Sequence, residues 1–457
     1  MLRPSRVAVL WLQAFALAPA WTTPARAQQP PLAHFIHRTT LDNGLEVVVA
    51  ENHAVPLATV LVAVRNGAFT QEPDERGLAH LYEHILFRSY KGDPNAFGRA
   101  AGRLNAAYNG FTSSEVVSYF LMVPSQNVDG AIDLIAGLFE DARFSNQDLK
   151  EERPVVLDEL QSHASDPEDR LGRQVAQALW GSSWSRKDAS GDSVTLAGIT
   201  LDHLKATYNR YYVPNNAALI VTGDVVTERV FEQARERFRD WKRGPDPFAD
   251  RPIPPIAPRA TNGVVMLASD VRDVTIRTAL QDTGATYAAD ALFDLLNDPA
   301  SGFQQRLVTN GPFESVTGTY YTMSHSGPIE IVGKTSPERA QVALVRLLNE
   351  LETLDVLEGA SDEDLAIAKK HREVQLALTR ERMAGLAPAL AQWWSSAGLD
   401  YHLAYDGRMA AQTIDDLRRF AGTYVVGRPR VIGVLAPPET TDRLAAWLRH
   451  PAGRSGP

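Results

Sequence analysis

The chain has 457 residues, 44% of them hydrophobic and 22% charged, and a formal net charge of -9. That length fits roughly two to four domains of about 100–200 residues, the composition is that of a globular protein, and an acidic balance without a basic tract excludes a general nucleic-acid binder. Cysteine is absent, which excludes disulfides, a thiol nucleophile and thiolate-held zinc or iron–sulfur sites, and leaves histidine and carboxylates as the strong metal ligands.

Arg3 and Arg6 precede the apolar run Val7 to Trp21, and Ala25-Arg26-Ala27 follows. A charged start, an apolar centre and a small-residue site predict a secretory signal over residues 1–27, cleaved before Gln28. The run falls short of the ~20 apolar residues that span a bilayer. The expectation is a soluble, periplasmic protein with no membrane attachment after cleavage. Losing a leader with three arginines and no acid takes the net charge from -9 to -12.

The mature chain reads as two similar parts. The first, residues 28–242, opens with an alternating strand from Leu45 to Glu51 after the turn Asp42-Asn43-Gly44. A second strand, Ala58 to Val64, leads through Gly67 into a helix running to residue 80 and beyond. Helical periodicity continues at Asn127–Phe139 and Val226–Trp241, with a strand at Ala217–Val221. Residues 243–263 carry prolines at 245, 247, 252, 254, 255 and 258, a composition that forbids helix and favours an extended linker. The second part, residues 264–457, repeats the order: strands Val264–Ala268 and Val274–Leu280, Gly284, then a helix at Tyr287–Leu296. Helices at Pro337–Leu351 and Ser361–Trp394 and a strand at Arg430–Val434 complete it. A strand–strand–helix order repeated across a linker predicts an internally duplicated α+β fold.

The segment Gly77 to Phe87, GLAHLYEHILF, carries the chemistry. His80 and His84 are four apart, hence neighbours on one helix face, and both imidazoles can reach one Zn²⁺ at about 2.0–2.1 Å. Glu83 lies beside them but is rotated off the ligand edge, which suits a general base rather than a ligand. This is the inverted H-x-x-E-H order of zinc peptidases. With 11 histidines in the chain, a chance match is improbable, and the apolar Leu78, Leu81, Ile85 and Phe87 place the helix against a core. A catalytic zinc needs a third protein ligand and an open position. Glu151 to Leu160, EERPVVLDEL, offers Glu152 and Glu159 two turns apart on one face, with Asp158 pointing elsewhere. By spacing alone either glutamate serves as ligand, and the other as the acceptor that orients an imidazole.

These segments together resemble the pitrilysin/insulinase family of zinc metallopeptidases, in particular its short bacterial, mitochondrial-processing-peptidase-like branch. Leu41–Asn52, Gly77–Phe87, Tyr108–Pro124, Glu151–Leu160 and Tyr212–Val225 carry the likeness. It implies one Zn²⁺ per chain held by His80, His84 and Glu159, with Glu152 behind an imidazole and Glu83 as base. It also implies that Asn109 and Gly110 lie on an edge strand that pairs with a peptide substrate. The strong β-formers Val116, Val117, Tyr119 and Phe120 fit a strand there, and an edge binds extended peptide by strand addition.

The second part departs from the family. Active single-chain members carry an Arg followed seven residues later by a Tyr, which polarise the substrate carbonyl. Here Arg306 is followed by Phe313, and the other register places Val308 and Glu314 at the two sites. The helix matching the zinc helix has no histidine. The expectation is a zinc endopeptidase for short or unfolded peptides, a clamshell with a partner chain. That partner is a homologous subunit supplying Arg and Tyr in a heterodimer, or a second copy using Tyr320 or Tyr321. The competing readings are a non-catalytic structural subunit of the same family and a metal-storage protein.

Overall fold

The computed structural model of the protein describes residues 35–282, 286–354, 356–381 and 383–449. The signal segment 1–27 and Gly284 lie outside the described residues. Strands β1 (Ile36–Thr40), β2 (Glu46–Glu51), β3 (Leu57–Val64), β4 (Ala107–Thr112), β5 (Val117–Pro124) and β6 (Ala217–Gly223) form one sheet in the order β1-β2-β6-β3-β5-β4. Strands β7 (Gly263–Ala268), β8 (Val274–Gln281), β9 (Ser315–Tyr320), β10 (Pro328–Thr335) and β11 (Val431–Ala436) form a second, in the order β7-β11-β8-β10-β9. One pair in each sheet is parallel, β2 with β6 and β7 with β11, and the rest are antiparallel. The second sheet is therefore the first without its β1 edge, and the fold is α+β with two equivalent halves.

The helices that matter for the site are α1 (Leu78–Ser89), α2 (Ala96–Arg103), α3 (Val128–Glu140), α4 (Asn146–Ser165) and α5 (Pro167–Trp180). Alternation along the strands divides the first sheet into two buried faces. Val47, Val49, Val60, Val62, Leu219 and Val221 meet α1 and α3 side chains such as Leu81, Ile85, Ile132 and Ile135. Val48, Ala50, Leu61, Ala63 and Ile220 meet Leu386, Leu390 and Trp394 of the helix Met383–Ser396, which comes from the second half. The exchange is reciprocal. Leu171, Val175 and Leu179 of α5 cover Ala279, Val431 and Leu435 of the second sheet. The approach is close enough that a Cβ at Gly433 would fall 2.3 Å from Val175 Cγ2. Each sheet thus borrows a helix from the other half to close its outer face.

Several boundaries differ from the sequence expectation. After Gly67 there is one turn of 3₁₀ helix, Ala68–Thr70, and the zinc-motif helix starts only at Leu78. Gly77, at φ +86°, sets that start, because a Cβ there would lie 2.8 Å from Ser190 O. The expected helix Ser361–Trp394 is two helices, Asp362–Glu381 and Met383–Ser396, the first packed on Tyr287–Asn297 and the second on the other half's sheet. Val226–Trp241 shortens to Thr227–Arg237, with Phe238 at its C-cap and Trp241 beyond it, both still packed in the core. Tyr108–Pro124 is a hairpin rather than one edge strand: Val117 to Phe120 belong to the inner strand β5, and β4 alone is the edge. Residues 244–262 carry neither helix nor strand.

Candidate metal centre

Helix α1 is placed by a buried glutamine. Gln71 Oε1 accepts the N–H groups of Gly77 and Ala79, both at 3.1 Å, while its Nε2 donates to Ser185 O and Asp188 O at 2.9 Å. This satisfies two N–H groups that the first helical turn leaves free. Leu78, Leu81, Tyr82, Ile85 and Leu86 bury one face of the helix. His80 and His84 then project together towards α4, which begins with a capping box at Ser145 and Asp148.

His80 Nε2 and His84 Nε2 both stand 3.6 Å from Glu159 Oε2. Among the described residues these three side chains are the one group whose potential ligand atoms all lie within 4.8 Å of one another. Donors each about 2.0–2.1 Å from a tetrahedral ion stand about 3.4 Å apart, so the set fits Zn²⁺ in both geometry and donor chemistry. Burial holds the His80 imidazole below its ordinary pKa, the His84 ring adds to that, and the Glu159 carboxylate opposes it. A neutral imidazole is the form a metal takes. Nδ1 of His80 is buried without a protein partner.

Glu152 takes the other place. Its Oε2 is 3.3 Å from His84 Nδ1 and its Oε1 is 3.1 Å from Arg88 Nη1, so the carboxylate turns the His84 ring until Nε2 faces Glu159. Arg88 is four residues beyond His84 on the same helix face and also pairs with Glu151. Asp158 lies away from this group, on an open groove of about 630 Å³ with Lys150 and Arg153.

Glu83 is buried and points at β4, where Thr112 Oγ1 donates to its Oε2. Burial pushes its carboxyl above the ordinary glutamate pKa, against the Thr112 hydrogen bond and the nearby His84. Gly110 is the reason the carboxylate fits: a Cβ there would fall 2.4 Å from Glu83 Oε1 and 2.5 Å from Cγ. Asn109 is exposed on the same edge strand, and its Oδ1 accepts the Gly110 N–H at 2.9 Å. Tyr108 and Phe111 leave apolar surface beside them. Sequence reasoning missed Thr112, Arg88 and Gln71 as working residues. The i+4 step from His84 was the signal for Arg88; no local pattern marks the other two.

The second half answers this site position for position. Gly318 on β9 packs against Phe293 as Gly110 on β4 packs against Glu83. Asp290 and Asp294, three before and one after Phe293, therefore stand where His80 and His84 stand in the first half. Between them and the helix Asp362–Glu381 lies Arg372, with Nε and Nη2 each 2.7 Å from Asp294 and Nη2 3.8 Å from Asp290. The Arg372 guanidinium thus lies against both aspartates. Further along, Arg306 is paired with Glu350 at 2.6 Å through two nitrogens, and Phe313 is in the core. Tyr320 is engaged with the buried Asp282, and Tyr321 is exposed.

Comparison with known proteins gives the same lineage. Residues 46–187 match the family profile described as insulinase (peptidase family M16), and residues 198–371 match the M16 inactive domain. A Mycobacterium tuberculosis protein named an uncharacterized zinc protease is 26% identical over 459 residues, covering 94% of this chain and 100% of the relative. A protease from Helicobacter pylori of known structure matches with a TM-score of 0.76 at 21% identity, over 88% of this chain and 99% of that one. The Escherichia coli periplasmic protease PqqL matches with a TM-score of 0.75 at 19% identity, over 94% of this chain but 50% of its own. With both sheets, the H-x-x-E-H helix and two M16 matches in place, the chain belongs to the insulinase (M16) family of peptidases.

Proposed function

We propose that the protein is a zinc-dependent endopeptidase of the periplasm, acting on short or unfolded peptides as the zinc-bearing subunit of a dimer. The observation that carries the reading is the convergence of His80 Nε2, His84 Nε2 and Glu159 Oε2, with Glu83 adjacent but turned to β4. His80, His84 and Glu159 would hold a Zn²⁺ ion there, which would supply a Lewis acid able to bring the pKa of a water towards about 7. Glu83, held at Oε2 by Thr112, keeps Oε1 for the proton of the attacking water and passes it to the departing amine nitrogen. The open edge of β4 takes the peptide as an added strand, with Asn109 and Gly110 against its backbone. The export signal expected over residues 1–27 supports a periplasmic site of action, and no helix among the described residues is long and apolar enough to cross a membrane. Two features support a partner subunit: the second half offers no Arg–Tyr pair at either register, and PqqL, a periplasmic protease, has twice the span that this chain matches.

Zinc content of the purified chain and cleavage of a quenched peptide, with and without chelator, test the reading. Stoichiometric zinc and chelator-sensitive cleavage are expected. Glu83→Gln should keep the zinc and lose nearly all turnover; if it loses the metal instead, Glu83 is a ligand and the assignment of roles fails. A chain that holds no zinc would favour a non-catalytic subunit.

A further inference from the structure

The β4–β5 and β9–β10 hairpins occupy equivalent places in the two sheets, and their loops meet. Glu115, in the β4–β5 loop, is 1% exposed. Its two oxygens accept the backbone N–H groups of Ser324 and His325, each at 2.9 Å. From the other side Lys187 Nζ donates to His325 O at 2.8 Å and Ser326 O at 2.5 Å. A carboxylate and an ammonium of the first half therefore grip the backbone of one loop of the second, donors by one and acceptors by the other. Two more contacts fasten the junction. The Phe69 ring stacks on His325 at 5.0 Å, and Ser113 Oγ lies 3.4 Å from Gln392 Oε1 of the helix Met383–Ser396. The β4–β5 loop that carries Glu115 is also tied to the site. Phe69 N and Ala68 N donate to Ser114 O and Ser113 O at 2.9 and 3.2 Å, and the residue before Ser113 is Thr112, which holds Glu83.

We propose that this junction is a latch through which the second half holds the end of β4, so that Glu115 and Lys187 are positioning residues for Thr112 and the Glu83 carboxylate. The kinetic part of the inference rests on the peptidase reading above; the structural part does not. A simple join would hold the halves together without affecting β4. The latch differs because its carboxylate stands only three residues beyond Thr112, on a four-residue loop pinned from both sides.

Hydrogen–deuterium exchange on the full chain, with and without zinc, separates the two. In Glu115→Gln and in Lys187→Met, peptides covering residues 107–116 and 321–327 should exchange about tenfold faster, while peptides of α1 keep their protection. Zinc stoichiometry should stay at the wild-type value. Cleavage of a quenched peptide should show kcat down roughly tenfold with KM little changed, because the base is misplaced rather than the substrate site lost. Lys187→Arg, which keeps the cation and its donors, should restore most of both signals. If near-ultraviolet circular dichroism shows Glu115→Gln unfolded, Lys187→Met carries the test. Unchanged exchange in β4 of a folded variant overturns the latch, and so does freeing of 321–327 without β4. A wild type that binds zinc yet cleaves no peptide, alone or mixed with a homologous chain carrying the Arg and Tyr, would defeat the peptidase reading, while the exchange data still decide the latch.

Discussion

Glu152 and Glu159 share a face of α4, and position along the helix sorts their roles. Glu159 reaches both Nε2 atoms, whereas Glu152 reaches His84 Nδ1 and Arg88. Glu159→Gln should therefore weaken zinc binding most. Glu152→Gln should cost about 10–100-fold in affinity, and Asp158→Asn, facing the groove on the other side, should cost nothing measurable. Chelator competition gives the ranking, and equal affinities in all three variants would overturn the ligand assignment. A second residue-scale prediction concerns Asp282, fully buried at the end of β8. Burial pushes its carboxyl up to about 6, with Glu115 adding and the Gly327 N–H, Tyr320 and Lys187 opposing. A raised acid binds more protons in the folded than in the unfolded chain between about pH 4 and pH 6. Its contribution is thus present below pH 4 and lost as the pH rises through 6. Relative to Asp282→Asn, the wild type should lose on the order of 2 kcal/mol between pH 4.5 and pH 7. Thermal melts of both proteins across that range check it; a pH-independent difference would mean that Asp282 is ionised throughout. The histidines and glutamates of the site were legible because the motif spacing is itself helix geometry. Thr112 was not, since its role exists only where an edge strand lies across the helix.

At the scale of elements, the same helix-on-strand unit is used twice with different chemistry. In the first half it gathers two imidazoles and a carboxylate; in the second it buries two carboxylates around Arg372. Burial raises the pKa of both Asp290 and Asp294, and the guanidinium holds them down. Arg372→Met would leave buried carboxylates without their cation, at a cost of about 3 kcal/mol. Denaturant unfolding measures this, and a change below about 1 kcal/mol would show that the aspartates find other partners or simply protonate. The H-x-x-E-H helix could be placed from sequence, but its first turn could not. The expected helix begins soon after Gly67, but residues 71–77 carry no apolar period and include Pro73; the Gln71 amide and the close packing of Gly77 on Ser190 and Gly191 fix the first turn at Leu78.

The whole molecule is an exchange of helices between two equivalent halves. The carbonyl-polarising pair that the family places in its second half is not where either register puts it, since Arg306 is committed to Glu350 and Phe313 to the core. Loss of one such donor costs about 10²–10³ in rate. The lone chain should therefore bind zinc but cleave slowly, and a homologous chain carrying the Arg and Tyr should raise the rate by about that factor. Steady-state cleavage by the lone and mixed proteins measures this. Full activity from the lone chain, unchanged by the partner, would leave a second copy using its exposed Tyr321 as the alternative.

The sequence by itself determined the duplication, the strand–strand–helix opening of each half and the candidate residues for holding a metal. All of these rest on spacings of two, four or seven residues, which local geometry converts directly into faces and neighbours. Tertiary structure alone decided the rest. The outer faces of both sheets looked like ordinary buried strands, because Val48, Leu61 and Ile220 read the same whichever helix covers them. That α5 and the helix Met383–Ser396 each cross to the opposite sheet is a matter of chain path, which apolar burial, being non-directional, does not specify. The roles of Thr112, Gln71, Glu115 and Lys187 depend on partners 29, 6 to 8, 209 to 210 and 138 to 139 residues away. Those meetings leave no periodic trace in the sequence, because only the packed fold brings the groups within hydrogen-bonding distance.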